Sequence, residues 1–240
     1  MEREIPELEP RVVLAVAAHP DDLEFGTSGS VARWVAGGAA VHYLICSDGS
    51  KGSDDPNLTS AQLIELRRDE QRAAAKILGV ASVTFLDYED GLVGATPALK
   101  RDIAREIRRI KPDTVVAQDP AMLYLADLGI INHNDHRAVG LAAMDAVYPL
   151  ARDHLSFPEL EAEGFAPHKV KDLLLMGFEN HNYYVDITAT YETKLKALAA
   201  HASQVDITAV RGRLDAMSGR LGERGGFERA EGFIRLHMFI

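Results

Sequence analysis

The chain has 240 residues, 47% hydrophobic and 26% charged, enough to bury a full core without disulfides or a structural metal, so one domain over 1–240 is expected and any metal is expected to be catalytic. Its 26 basic and 36 acidic side chains leave a formal charge of −10, which repels phosphate backbones and anionic membranes and argues against a nucleic-acid partner. Cys46 stands alone, the opening MEREIPELEP lacks the basic and apolar regions of a signal peptide, and no apolar run has the length of a membrane span; these features predict a cytoplasmic protein with no membrane span.

The first predicted element is a strand beginning at Val12-Val13-Leu14-Ala15-Val16, in an apolar run that reaches Ala18. Without polar alternation it fits a strand buried on both faces of a parallel sheet. Short runs of the same kind follow at Val41 to Cys46, Val83 to Leu86 and Thr114 to Ala117, with helical patterns between them. A helix from about Leu63 to Leu78 carries a capping box at Thr59 and Gln62 and a stop at Gly79. Another opens at Thr96-Pro97 and closes before Lys111-Pro112. After Ala138 the helical pattern runs to about Val147, and strand-like runs at Leu173 to Met176 and Tyr183 to Ile187 extend the sheet. From Thr190 the chain reads as helical, broken by a Gly-rich Leu221 to Phe227 loop. Alternating strands and helices predict an α/β, Rossmann-like, mostly parallel sheet with helices on both faces.

Ligands bind such sheets beyond the carboxyl ends of the strands, so the residues after each strand carry the functional signal. The first loop, Ala18-His19-Pro20-Asp21-Asp22-Leu23-Glu24, places an imidazole and three carboxylates on a proline turn. These are ligand types that zinc favours, although a PDD tripeptide standing alone serves as well to turn the chain and cap a helix. A second cluster, Asn132-His133-Asn134-Asp135-His136-Arg137, follows the fourth strand and shares its rim. His136 is predicted near a helix start, with His133 and Asp135 in the loop before it. Gly26-Thr27-Ser28-Gly29 lacks the spacing of a dinucleotide fingerprint. His42, His154, His168 and His237 carry no motif, and Cys46 reads as a buried hydrophobe.

The pair Ala18-His19-Pro20-Asp21-Asp22 and His133-Asn134-Asp135-His136 resembles the signature of the LmbE-like, PIG-L-type deacetylases of N-acetylglucosamine-containing compounds. Weaker likenesses lie at Arg67 to Glu70, Leu78-Gly79-Val80, Asp90-Gly91, Asp186-Ile187-Thr188 and His201-Ala202-Ser203-Gln204. Spacing alone does not separate the roles of the two aspartates. The resemblance implies that His19, Asp22 and His136 ligate zinc, with an open position for water, and that Asp21 is the general base and the acid that protonates the leaving amine. It further implies a protonated His133 as oxyanion donor, oriented by a hydrogen bond to Asp135, and Arg67 and Asp90 as contacts to sugar hydroxyls. Ligand type leaves Fe2+ or Mn2+ open beside Zn2+. The implied partner is a small amino-sugar conjugate, and relatives often form trimers or hexamers. Mycothiol-pathway relatives carry a Tyr where this chain has Ile131; Tyr124 is the candidate replacement as general acid. A non-catalytic sugar or metabolite binder on the same fold, or an amidase for another acyl-amide, is the alternative.

Overall fold

A computed structural model describes residues 8–126 and 129–238. In chain order its elements are β1 (Val12–Ala17), α1 (Asp22–Gly26), α2 (Ser28–Ala36), β2 (Ala40–Ser47), α3 (Ser60–Leu78), β3 (Ser82–Tyr88), α4 (Pro97–Ile110) and β4 (Thr114–Gln118). A two-stranded hairpin, β5 (Tyr124–Leu125) and β6 (Ile130–Ile131), precedes α5 (Asn134–Asp145), which runs into a π-helical turn at Ala146–Leu150. Then come α6 (Pro158–Ala162), β7 (Asp172–Met176), β8 (Tyr183–Asp186), a 3-10 turn at Thr188–Thr190, α7 (Tyr191–Ala199), α8 (Ile207–Gly225) and β9 (Ala230–His237).

Seven strands form one sheet in the order β3-β2-β1-β4-β7-β9-β8. The pairs from β3 to β7 are parallel, and β9 runs antiparallel to both of its neighbours. The unbroken apolar run of β1 is used on both faces: Val13, Ala15 and Ala17 enter one core, while Leu14, Val16 and Ala18 enter the other. β1 lies between β2, which follows it through one crossover, and β4, which is reached from the other side. The crevice where the winding reverses therefore opens at the carboxyl ends of β1 and β4, where such sheets take their ligands.

The helix punctuation expected from the sequence is present. Thr59 Oγ1 accepts from Gln62 N at 3.3 Å while Thr59 N donates to Gln62 Oε1 at 3.0 Å, and Gly79 closes α3 at φ 76°. Thr96 caps α4 ahead of Pro97.

Three expectations need correction. The Gly-rich segment is no loop as far as Gly225, since α8 continues to that residue. Its glycines are there for proximity: a Cβ on Gly222 would lie 2.6 Å from Glu228 O, and one on Gly225 2.7 Å from Tyr184 Cβ. The stretch after it is a strand, β9, which inserts between β7 and β8, so β8 joins the sheet only through β9. Finally, α5 begins at Asn134 with His133 as its N-cap, which puts Asp135 in the first helical turn instead of the preceding loop. No helix among the described residues is long and apolar enough to cross a membrane.

Candidate functional site

The β1 loop and the start of α5 converge at the switch point. Gln118, the last residue of β4, joins them to the sheet: its Oε1 accepts from Ala18 N at 3.0 Å and its Nε2 donates to Asp22 Oδ2 at 3.0 Å. The turn through Pro20 sets Asp21 at φ 91°, a left-handed conformation rare outside glycine, immediately before α1. The imidazoles of His19 and His136 lie 5.3 Å apart between centroids, and His19 and His133 4.6 Å apart. Residues more than a hundred positions apart in sequence thus share one pocket.

Hydrogen bonds fix which atoms are free to bind a ligand. The Asn132 amide donates to Met122 O at 2.8 Å, which turns its Oδ1 toward His136 Nδ1 at 3.2 Å. Nδ1 of His136 is therefore the donor in that bond, and its Nε2 lies 3.1 Å from Asp22 Oδ1. His19 directs Nε2 at Asp135 Oδ2 and Asp90 Oδ1, each at 3.2 Å, which leaves Nδ1 facing Asp22 Oδ2 at 3.4 Å. Ligand-type atoms of His19, His133 and His136 form one close group, and those of His19, Asp90 and Asp135 another. Asp22 adjoins the first group through His136 and His19.

The pocket's electrostatics fit a cation. Burial alone lowers an imidazole, but the hydrogen bonds it donates to Asp135, Asp22 and Asp90 outweigh it and raise His19 to about 12. Three carboxylates turned on one imidazole, with two further histidines alongside, form a donor set of the hard and borderline kind that divalent ions take. Burial opposes ionisation of Asp90, yet its hydrogen bond to His19 wins and lowers it to about 2. Burial first, then the neighbouring Asp22 charge, push the Asp21 carboxyl well above the ordinary aspartate range, against the pull of Arg67.

The expected side-chain bond between His133 and Asp135 is absent among the described contacts. The Asp135 carboxylate, wholly buried, instead accepts from His19, from Gly91 N at 2.7 Å, from Val93 N at 3.2 Å and from Asn134 Nδ2 at 2.7 Å. What His133 receives is the Asp135 backbone: Nδ1 accepts that N–H at 3.2 Å. Burial, followed by the charge on His19, lowers the His133 pKa. Nδ1 is thereby occupied as an acceptor, which leaves Nε2 as the ring atom open to other partners.

Arg67 reaches the site from α3, buried to 5% exposure. Its Nη1 donates to Gly49 O and Lys51 O, both at 3.2 Å, and its Nη2 to Pro20 O at 2.9 Å, while Asp21 and Asp90 lie 3.6 Å away. The terminal nitrogens of Arg67 thus join the β1 loop to the Gly49–Lys51 rim. Asp90 accepts from Lys51 N at 3.1 Å. Tyr124 stands opposite Ile131 across the β5–β6 hairpin with its side chain exposed. His181 bonds to Gly177 O and packs under Gly232, outside the cluster.

Two residues near the site were missed in the sequence. Gln118 ends a strand, so the rule that located His19 applied to it as well. Gln71, wholly buried, lies one turn beyond Arg67 on the same face of α3.

The PIG-L family model, GlcNAc-PI de-N-acetylase, matches residues 14–147. Diacetylchitobiose deacetylase of Thermococcus kodakarensis is 32% identical over 80% of this chain and 69% of its own length. The 4-oxalmesaconate hydratase of Pseudomonas putida is 28% identical over 80% of this chain and 73% of its own. The structure of N,N'-diacetylchitobiose deacetylase from Pyrococcus horikoshii, complexed with its inhibitor, aligns with a TM-score of 0.88 at 30% identity, covering 95% of this chain and 85% of that one. With its two site-forming segments inside the matched region, this chain belongs to the PIG-L family.

Proposed function

We propose that this protein is a metal-dependent hydrolase that removes an N-acyl group, acetyl in the first instance, from a glucosamine-containing conjugate. The observation that carries the reading is the meeting of His19, Asp22 and His136 at the sheet's switch point, with the Asp21 carboxyl beside Asp22. His19 Nδ1, an Asp22 oxygen and His136 Nε2 are the atoms proposed to hold the ion, zinc by preference and Fe2+ or Mn2+ as members of the same ligand class. Such an ion supplies Lewis acidity, polarising the acyl carbonyl and lowering the pKa of water toward neutrality.

The chain's own residues do the rest. Asp21, its proton affinity raised by burial and Asp22, takes the proton of the attacking water and returns it to the leaving amine. His133, with Nδ1 filled by the Asp135 backbone, offers its Nε2–H to the carbonyl oxygen as negative charge develops. Asp135 and Asp90 hold His19 in the tautomer that exposes Nδ1. Arg67 keeps the β1 loop and the Gly49–Lys51 rim together and balances the charge of Asp21 and Asp90.

Acetate release from a panel of N-acetylglucosamine conjugates, before and after chelation, is the test. Activity lost on metal removal and restored by zinc is expected; activity surviving complete removal overturns the reading. The hydratase relative favours a second reading, addition of water across a carboxylate-conjugated double bond. Loss of alkene absorbance without acetate release across the panel selects it.

A further inference from the structure

Behind Asp21 runs a buried polar chain that the chemistry above leaves unused. Asp21 holds its left-handed backbone at φ 91°, a conformation that persists in a residue with a side chain only where its surroundings impose it. Gln71 on α3 is one such restraint: its Oε1 accepts the Asp21 backbone N–H at 3.1 Å. A carboxamide turned end over end has almost the same shape, and turned that way it would set an NH2 group against that N–H. The other end of the amide decides the matter. Gln71 Nε2 donates to Glu24 Oε1 at 3.0 Å, and an ionised carboxylate only accepts. The second oxygen of Glu24 faces His201 Nε2 at 3.2 Å, and Glu24, Gln71 and His201 are all wholly buried. One turn earlier on the same helix, the Arg67 guanidinium lies 3.6 Å from Asp21 Oδ2. α3 therefore holds Asp21 by its backbone and by its side chain.

We infer that Gln71, Glu24 and His201 are positioning residues for Asp21: His201 anchors the Glu24 carboxylate, Glu24 sets the direction of the Gln71 amide, and Gln71 fixes the backbone that aims the Asp21 carboxyl. The inference rests on the reading of Asp21 as the general base. None of the three touches the groups proposed to hold the ion in any described contact, so their effect is on turnover and not on ion affinity.

Gln71→Leu and the near-isosteric Glu24→Gln, each made alone and in an Asp21→Asn background, provide the test, with kcat, KM and zinc affinity measured for each. Gln71→Leu is expected to lower kcat about 10- to 100-fold, the scale of a small misplacement of a reacting group, with KM and zinc affinity within about threefold of wild type. Glu24→Gln is expected to lower kcat several-fold in the same pattern. In the Asp21→Asn background neither substitution lowers the residual rate further, because residues acting through one carboxyl are silent once it is gone. A merely structural role predicts additive losses. Additive losses, or wild-type kcat in both single variants, overturn the inference. If Gln71→Leu fails to fold, Glu24→Gln decides. Wild-type turnover in Asp21→Asn alone overturns the base assignment instead, which keeps the two failures distinct.

Discussion

Replacing Asp135 by asparagine is the sharpest perturbation of the site, because it keeps the shape and changes one oxygen into an amide. The wild-type carboxylate accepts four hydrogen bonds: Oδ2 from Gly91 N and His19 Nε2, and Oδ1 from Val93 N and Asn134 Nδ2. Asparagine has one acceptor oxygen, so either orientation sets its NH2 against a pair of donors. Backbone N–H groups cannot adapt, and the Asn134 amide, which also bonds Gly91 O at 2.8 Å, is held. His19 can adapt by moving its proton from Nε2 to Nδ1. That is the atom facing Asp22, and protonated it no longer ligates. An outer partner of a ligating histidine is worth about 10- to 100-fold in ion affinity, or about 1.4 to 2.8 kcal/mol at 1.4 per tenfold. Competition between the apo variant and a chromophoric chelator for zinc measures this directly. The refuting result is wild-type affinity with depressed kcat, which would return Asp135 to the His133 role inferred from the sequence. His133→Asn provides the contrast and is expected to keep ion affinity within about threefold, since it removes no atom of the proposed ligand trio.

Other expectations are independent of one another. Asp21→Asn should retain zinc, verified by metal analysis, while kcat falls by about 10²- to 10⁴-fold, the usual contribution of a proton-transfer group; unchanged turnover reassigns the base. Lys194→Met leaves the buried Glu231 carboxylate without the ammonium that contacts it at 2.5 Å. Breaking one side of a buried pair costs about 3–5 kcal/mol, which at about 2–4 °C per kcal/mol lowers Tm by about 6–20 °C; scanning calorimetry showing no drop contradicts it. Within α8, Gly219→Ala meets no atom within 4 Å, whereas Gly222→Ala places Cβ 2.6 Å from Glu228 O. The first should stabilise by about 0.5–1 kcal/mol and the second destabilise by about 1–3 kcal/mol in urea unfolding. Equal effects would show that Gly222 is not there for close approach.

The parallel half of the sheet was legible because β1, β4 and β7 are buried almost throughout and show it in short runs dominated by Val, Leu and Ala. β9 was not, because two of its inward positions are Glu231 and Arg235, both nearly inaccessible. Glu231 accepts from Gly29 N at 3.0 Å and Ser30 N at 2.7 Å at the start of α2, and Arg235 Nε donates to Asp172 Oδ1 at 2.8 Å. Polar letters whose partners lie far away in sequence read as surface. The same blindness affected α8, where glycines chosen for close packing look like those chosen for mobility. In the site, the strand-end rule put His19, Asp22 and His136 on one rim, and they are neighbours there because loop position is a property of topology. Which side chain Asp135 faces is not: that depends on where α5 starts, and with the start at Asn134 its carboxylate meets His19 instead of the neighbouring His133. Gln71 was invisible for a related reason, since its bond to Glu24 runs between helices.

The placement of β9 also bears on how the chain is made. Because β9 follows α8 yet sits between β7 and β8, a nascent polypeptide stalled after α8 holds a five-stranded sheet whose outer flank at β7 has no neighbour. An open ladder of that kind recruits strands from other molecules. Late arrival of a single segment thus governs whether newly synthesised copies close on themselves or on each other, and sequence changes at Glu231 or Arg235 would register first in the yield of recoverable protein.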